Sequence, residues 1–291
     1  MKTLKGIFPA LPTPFTKTDK INEKALEALV KLNLEKGVNG FYVGGSTGEA
    51  FLMSVDERKQ ILEIVNDTVK GKAAIIAHIG CISTSQAISL AKHAKKLKID
   101  AISSIAPFYY KFSFEEIKNY YFTLVNEVDL PMIIYNFPGF SGVVFSDENI
   151  GEFMRDERFI GIKHTSSDYY ALERIKNSFK DKVIFNGFDE MFLAGLVMGA
   201  DGGIGSTYNF MAEKFIQIKG CFEQNKIKKA QELQNEVNTI IKEILKVGVI
   251  PGVKEILNLT GLDFGCGREP FRKVTSEESA LLATKVLPLL V

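Results

Sequence analysis

The feature that most constrains the fold is a regular alternation of short apolar strands and amphipathic helices, which continues to about residue 222. β-Branched or aromatic runs, each followed by a helix-length segment, recur eight times. Strict alternation of this kind implies parallel pairing, because the chain must cross over between successive strands. The predicted strands lie at residues 7–13, 40–43, 73–77, 101–105, 131–134, 158–162 and 183–185, and the eighth lies within 201–207.

Eight strand–helix units close naturally into a (β/α)8 TIM barrel. The competing open, doubly wound sheet usually has a glycine-rich dinucleotide turn after its first strand, whereas the first turn here is rich in proline and no GxGxxG motif follows a strand. Beyond residue 222 only helices are predicted, at 227–247, 251–259 and 276–290. We therefore predict a barrel over residues 1–222 that carries the active site, and a C-terminal helical extension over residues 223–291.

Composition and charge exclude several classes of protein. The 291 residues are 46% hydrophobic and 24% charged, which is typical of a globular protein, and the net charge of +1 favours neither nucleic acid nor a charged membrane as a partner. The three cysteines lack metal-ligand spacing and suggest no disulfide framework. No segment is predicted to be a signal peptide or a membrane span. We expect a soluble cytoplasmic protein.

Polar side chains follow the predicted strands at their carboxyl ends, where TIM barrels build their active sites. Turns are polar in general, so each of these residues also has a purely structural explanation. A lysine, tyrosines and several hydroxyl groups on one rim are harder to explain in that way. The residues at these positions are Ser46, Thr47, His78, Tyr109, Tyr110, Tyr135, Asn136, Lys163, Thr165, Asp189, Glu190, Ser206 and Thr207.

Lys163 follows the apolar run 158–162, at the point where the chain leaves the interior. Partial loss of hydration disfavours the ammonium form and makes a neutral, nucleophilic amine available, and such amines form Schiff bases with ketones. A lysine that merely extends to the surface from a strand end is the alternative. Schiff-base chemistry needs a proton shuttle, for which Tyr135 is the candidate, although a core tyrosine with a satisfied hydroxyl is common.

Two glycine-rich turns and an acidic pair complete the set of candidates. The turn at residues 44–49 offers backbone N–H groups and the hydroxyls of Ser46 and Thr47 to the carboxylate of a keto acid. The turn at residues 202–206 suits a neutral hydrogen-bonding wall. Asp189 and Glu190 either accept hydrogen bonds from a polyhydroxylated substrate or cap the following helix, and the pattern alone does not decide between the two.

Other chemistries find little support in the sequence. The three histidines lie on different predicted elements without carboxylates spaced as co-ligands, so no metal site is expected. No nucleophile-elbow sequence is present, which argues against a serine hydrolase. We expect neither a metal nor an organic cofactor.

Three segments give the chain a specific resemblance to a known family. They are Gly44-Gly45-Ser46-Thr47-Gly48-Glu49, Tyr135-Asn136-Phe137-Pro138 and Gly161-Ile162-Lys163. Over nearly its whole length the chain resembles the N-acetylneuraminate lyases and dihydrodipicolinate synthases, which are class I aldolases on a (β/α)8 barrel. The lyase branch is the better match, because Ser46 stands where the synthases tend to have threonine. The segment after Pro138 also lacks the arginine that the synthases carry there.

The resemblance implies a role for each site residue. Lys163 would form the Schiff base with pyruvate, Tyr135 would move the proton, and Tyr109 would support Tyr135 and the pocket. Ser46 and Thr47 would hold the carboxylate. The sugar hydroxyls would contact Thr165, Gly187, Asp189, Glu190 and Ser206. His164 stands where lyase relatives are expected to have glutamine, but its side chain should point away from Lys163 on the strand.

The expected function is therefore reversible cleavage of N-acetylneuraminate to N-acetylmannosamine and pyruvate, without a cofactor. The resemblance also implies a homotetramer whose partners are small-molecule substrates. Another pyruvate-dependent aldolase of the family, either a dihydrodipicolinate synthase or a 2-keto-3-deoxy sugar acid aldolase, is the first alternative. A non-catalytic barrel that binds a sugar acid is the second, against which Lys163 and Tyr135 argue, because a pure binder needs no amine there.

Overall fold

The computed structural model describes residues 3–290, apart from the side chain of Asp147, and shows a closed barrel of parallel strands. Neighbouring strands pair in the order β1-β8-β7-β6-β5-β4-β3-β2, and a parallel bridge between Ala10 and Tyr42 closes the ring between β1 and β2. The predicted TIM barrel is thus confirmed. The strands are β1 (Gly6–Pro9), β2 (Gly40–Val43), β3 (Ala74–His78), β4 (Ala101–Ile105), β5 (Met132–Asn136), β6 (Phe159–His164), β7 (Val183–Asn186) and β8 (Gly202–Gly205).

Helices follow the strands around the outside of the barrel, and several begin at side-chain caps. The Ser54 and Ser113 hydroxyls each accept a hydrogen bond from the backbone N–H of a glutamate three residues on. The carboxylate of that glutamate accepts a hydrogen bond from the serine backbone N–H. The helices are α1 (Glu23–Glu35), α2 (Val55–Val69), α3 (Thr84–Lys96), α4 (Phe114–Val128), α5 (Pro138–Ser141), α6 (Asp147–Met154), α7 (Tyr169–Ser178), α8 (Phe192–Val197), α9 (Tyr208–Glu223), α10 (Ile227–Val247), α11 (Val249–Leu259) and α12 (Ser276–Lys285).

The hydrophobic core has two layers, because successive side chains of a strand point to opposite faces. The larger layer fills the space between the strands and the surrounding helices. The smaller layer fills the inside of the barrel and includes Phe8, Tyr42, Ile133 and Phe185. Ile133 fixes the inward positions of β5, so Tyr135 also points inward, and its register partner on β6 is Lys163.

Some element boundaries differ from the prediction. β1 ends at Pro9 rather than at residue 13, since Pro12 and Pro14 have no N–H group to continue the ladder. β6 runs on through His164 rather than ending at residue 162, and the Thr165 N–H still bonds the Asn136 carbonyl. The polar identity of these residues had suggested an earlier end.

The C-terminal helices pack on the barrel and on one another. α10 lies against α8 and α9, and the Gln234 side chain accepts a hydrogen bond from the Leu193 N–H at 2.9 Å. The last predicted helix is shorter than expected, since α12 ends at Lys285 and a 3-10 turn follows. The division at residue 222 stays a prediction. No helix within residues 3–290 has the length and apolar character needed to cross a membrane.

Candidate active site

A cavity of about 280 Å³ opens at the carboxyl ends of the strands and is lined by every residue to which the resemblance assigned a role, except Tyr109. A larger and more open groove between α1 and α2 is lined mainly by charged surface side chains, and no predicted site residue lies there. The polar side of the cavity is formed by Ser46, Thr47, Tyr135, Lys163, Thr165, Gly187, Asp189, Glu190, Ser206 and Thr207. The apolar side is formed by Phe137, Phe140, Phe188, Ile204, Ile241, Ile244, Leu245, Val249 and Ile250.

Lys163 is a buried amine, with 5% of the residue exposed to solvent. Burial lowers the pKa of Lys163 from 10.5 to about 7, and the Asp189 carboxylate opposes this shift. Aromatic rings surround the ammonium position, because Nζ lies 4.4 Å from the ring centroid of Tyr42 and 4.1 Å from that of Tyr135. A substantial fraction of Lys163 is therefore neutral and nucleophilic at neutral pH.

Tyr135 faces Lys163 from the neighbouring strand. Burial raises the pKa of Tyr135 to about 12, while the nearby hydroxyls of Ser46 and Thr165 act to lower it. Neither of these hydroxyls makes a hydrogen bond of ordinary geometry, to Tyr135 or to another group, although both oxygens are buried. Since buried polar groups are normally paired, Ser46 and Thr165 are placed to receive a ligand.

The loop of residues 44–49 carries its hydroxyls into the cavity by staying close to β2. A Cβ on Gly45 would lie 2.5 Å from Cε1 of Tyr42, so only glycine permits this approach. The Thr47 and Ser206 hydroxyl oxygens are 2.6 Å apart, which joins the loop to the end of β8. Behind the loop, the Thr13 hydroxyl donates to the Gly48 carbonyl at 2.8 Å.

Asp189 is held by Thr207 at the far side of the cavity. Its Oδ2 accepts hydrogen bonds from the Thr207 backbone N–H at 2.8 Å and from Thr207 Oγ1 at 2.6 Å. Burial raises the pKa of Asp189 to about 6, although the two hydrogen bonds from Thr207 act to lower it. Neither the 3-10 turn at Asp189–Met191 nor the following helix α8 has a side-chain cap, so Asp189 does not cap the helix that follows it. Glu190 lines the cavity beside it.

Tyr109 does not line the cavity of its own chain, and its support of Tyr135 stays a prediction. It is 84% exposed and has a φ of +80° in the loop after β4. There the ring packs edge-on against Tyr110 at 5.0 Å. Tyr109 follows β4, as predicted, but the backbone conformation of this loop was not predictable from its residue types.

Two buried groups beside the site were not singled out for a role. Tyr42 occupies an inward position immediately before the loop, which strand alternation could have revealed. His78 bonds the Gly44 carbonyl through Nδ1 at 2.9 Å and accepts the Ile105 N–H at Nε2, so Nδ1 carries the proton. Burial lowers the pKa of His78 well below its ordinary value, and Arg58 adds to this. His78 is therefore a neutral support of the loop.

His164 points away from the cavity, as its position on the strand predicted. Its ring lies outside the barrel, where Nδ1 is 3.1 Å from Asn136 Nδ2 and Nε2 is 3.0 Å from the Asp168 carbonyl. Within residues 3–290, no cluster of three or more His, Cys, Asp or Glu side chains is arranged to bind a metal ion. The cysteines are free thiols.

The fold and the site together define a TIM-barrel protein with a reactive lysine at the rim. Residues 3–287 match the dihydrodipicolinate synthetase family. An N-acetylneuraminate lyase of Rhizobium meliloti (strain 1021) is 44% identical over 287 residues, which cover 99% of this chain and 96% of the relative. The chain belongs to this family, as its motifs had suggested.

Solved structures of similar proteins superpose over nearly the whole chain. The CdNal protein of Clostridium difficile, in complex with mannosamine, is 42% identical with a TM-score of 0.95, and the match covers 97% of this chain and 99% of that one. The N-acetylneuraminate lyase from Fusobacterium nucleatum, complexed with pyruvate, is 41% identical with a TM-score of 0.92, and the match covers 98% of this chain and 97% of that one.

Proposed function

We propose that the protein is a class I aldolase that reversibly cleaves N-acetylneuraminate to N-acetylmannosamine and pyruvate. The observation that carries the proposal is the buried Lys163 amine, with its pKa lowered to about 7, inside a cavity lined by hydroxyl groups. Relatives with this activity in their names match nearly the whole chain, and the two solved structures described above are complexes with mannosamine and with pyruvate.

In the cleavage direction, neutral Lys163 attacks the ketone carbon of the open-chain sugar acid, and uptake of one proton with loss of water gives a protonated imine. Removal of the proton from the C4 hydroxyl breaks the C3–C4 bond, and the bonding electrons move into the iminium. The aldehyde leaves, the resulting enamine is protonated at C3, and water hydrolyses the imine to release pyruvate. The reaction requires no external oxidant or reductant.

Tyr135 is the proposed proton carrier, because its ring lies against the Lys163 amine. The raised pKa of about 12 keeps the phenol protonated in the free protein. A positive imine beside the ring favours loss of the phenol proton to solvent. The phenolate then accepts the proton of the C4 hydroxyl and passes it to C3 of the enamine. In our proposal, Ser46 and Thr47 hold the carboxylate. The sugar hydroxyls contact Thr165, Gly187, Asp189, Glu190 and Ser206.

Borohydride trapping with pyruvate tests this proposal. We expect a reduced pyruvate adduct on the peptide that contains Lys163 and no adduct in Lys163→Met. Incubation with N-acetylneuraminate should then release N-acetylmannosamine. Absence of an adduct on the folded wild-type protein would overturn the aldolase mechanism. An adduct combined with turnover of aspartate semialdehyde alone would identify the synthase alternative instead.

Tyr135→Phe separates proton transfer from imine formation. The phenol is not required for the first attack on pyruvate, so trapping on Lys163 should persist. Steady-state cleavage should fall by roughly 10²–10⁴-fold, the usual contribution of a general acid–base group. If both activities stay at the wild-type level, Tyr135 is not the proton carrier.

We further propose that the chain acts in the cytoplasm as a homotetramer, which the resemblance to its family supports. The exposed rings of Tyr109, Tyr110 and Phe140 provide apolar surface that an assembly would cover. Sedimentation equilibrium should give four times the chain mass of 32.4 kDa. A monomer mass at micromolar concentration would contradict the assembly without affecting the proposed chemistry.

A further inference from the structure

Glu49 closes the loop that carries Ser46 and Thr47. Within the loop, the Gly48 N–H bonds the Gly45 carbonyl and the Glu49 N–H bonds the Ser46 carbonyl, both at 3.0 Å. Glu49 itself has a φ of +60° and a ψ of +33°, in the left-handed region that a residue with a side chain rarely adopts. Contacts with the rest of the molecule must therefore hold the end of the loop in this conformation.

The Glu49 carboxylate is bound by the C-terminal extension rather than by the barrel. Oε1 lies 2.6 Å from Nζ of Lys254 on α11, and Oε2 accepts the Arg268 backbone N–H at 2.6 Å. Lys254 donates a further bond to the Cys266 carbonyl at 2.8 Å and lies 4.4 Å from the ring centroid of Phe15. The donors and acceptors around the pair are thus largely satisfied by fixed groups.

Burial makes this ion pair rigid. Only 1% of the Lys254 side chain and 0% of the Glu49 side chain are exposed, whereas in the surface pair Lys31–Glu27 the values are 61% and 43%. A buried charge that loses its partner is strongly unfavourable, because neither water nor another side chain can replace the partner. The pair therefore fixes the position of the Glu49 backbone relative to α11.

The same part of the extension also borders the cavity. Val249 and Ile250 at the start of α11 line its apolar side, and Lys254 follows one turn later. The Arg268 guanidinium bonds the Leu52 carbonyl at 3.0 Å, just beyond the loop. The extension therefore holds the loop from behind while it contributes a wall to the cavity in front.

We propose that Glu49 and Lys254 are positioning residues that set the Ser46–Thr47 loop for binding the carboxylate of the 2-keto acid. This inference rests on the proposed function, since it assigns the loop to the carboxylate of a substrate that condenses with Lys163. It makes a selective prediction. Loss of the pair should impair carbonyl compounds that bear a carboxylate and spare neutral ketones, which reach the Lys163 amine without the loop.

The experiment compares pyruvate with acetone as the carbonyl compound trapped by borohydride on Lys163. The variants are Glu49→Gln, which removes one charge at nearly constant shape, and Lys254→Met. We expect the pyruvate concentration for half-maximal trapping to rise about tenfold or more, because small displacements of a binding group have effects of that size. The rate of acetone trapping should stay within about twofold of the wild type, because that reaction uses Lys163 alone.

Glu27→Gln and Lys31→Met make the same chemical changes in the exposed pair and should alter neither reaction. If a single unpaired charge prevents folding, the double variant E49M/K254M replaces the pair by apolar groups of similar length. That variant also lacks the bond to the Arg268 N–H, so the same selective loss is expected. Equal losses with pyruvate and acetone, or no loss with either, would overturn the positioning role. Failure of the wild type itself to trap pyruvate would instead overturn the proposed function.

Discussion

At the scale of single residues, the chemistry of the site depends on what surrounds one amine. Lys163 is buried against the rings of Tyr42 and Tyr135, and the opposing influence of the Asp189 carboxylate is smaller than that of burial. An aromatic environment removes water without supplying a full counter-charge, so the neutral amine is favoured. The reactivity of Lys163 is therefore a property of the packing of the barrel interior.

The lowered pKa makes imine formation depend on pH in a defined direction. Only the neutral amine attacks a ketone, and the pKa of Lys163 is about 7 instead of 10.5. The initial rate of pyruvate trapping should therefore rise between about pH 6 and 8 and level off above that range. Stopped-flow or quench measurements would check this, and a rate that continues to increase tenfold per pH unit beyond pH 9 would contradict it.

Replacing Ser46 by alanine should weaken pyruvate binding without lowering the stability of the protein. Its hydroxyl is buried without a partner in the free protein, so Ser46→Ala removes an unsatisfied group and should leave the melting temperature unchanged or slightly higher. Pyruvate binding should weaken by about 1.5–3 kcal/mol, the value of a hydrogen bond to a charged group. Thermal unfolding and a pyruvate titration of the same samples measure both, and a marked loss of stability would contradict the unpaired state of Ser46.

At the scale of elements, replacing a glycine by alanine should have opposite effects on stability in the loop at residues 44–49 and in helix α9. Gly45→Ala would place a methyl group against Tyr42 and should reduce both stability and imine formation. Gly220 lies inside α9 with open space around its Cβ position, so Gly220→Ala should stabilise the protein by about 0.5–1 kcal/mol. Urea unfolding of both variants measures the contrast. If both changes are equally harmful, the close approach of the loop to β2 does not matter.

Local patterns in the sequence were sufficient to predict most of the polar side of the cavity, and Gly187 was predicted only through the family resemblance. The position of Lys163 follows from a strand end and from the alternation of side chains, which are both short-range properties. The apolar side was not predicted, because Ile244 and Val249 reach the cavity only after α10 and α11 dock on the barrel. The exposure of Tyr109 in the single chain was not predicted either, since its φ of +80° belongs to the conformation of a loop.

At the scale of the whole molecule, the buried amine carries a cost in stability. The unfolded chain binds a proton at Lys163 up to about pH 10.5, whereas the folded chain releases it above about pH 7. Between these values the unfolded state holds more protons, so stability rises with pH across this window, and the full penalty applies below it.

Lys163→Met should remove this penalty. The variant is expected to be more stable than the wild type at pH 6, by up to roughly 5 kcal/mol, and the difference should shrink as the pH rises toward 10. Denaturant unfolding at several pH values measures it. A constant difference across the range would show that hydrophobic packing of the methionine, rather than the charge, accounts for the gain.

The contribution of α10 and α11 to the cavity also bears on when activity can begin during synthesis. A ribosome makes the strands that carry Tyr135 and Lys163 well before it makes residues 249–254, which complete the apolar side and anchor the Glu49 loop. A nascent barrel therefore lacks a finished enclosure around its amine. The cavity around Lys163 is consequently completed only when α11 has emerged and docked, late in synthesis.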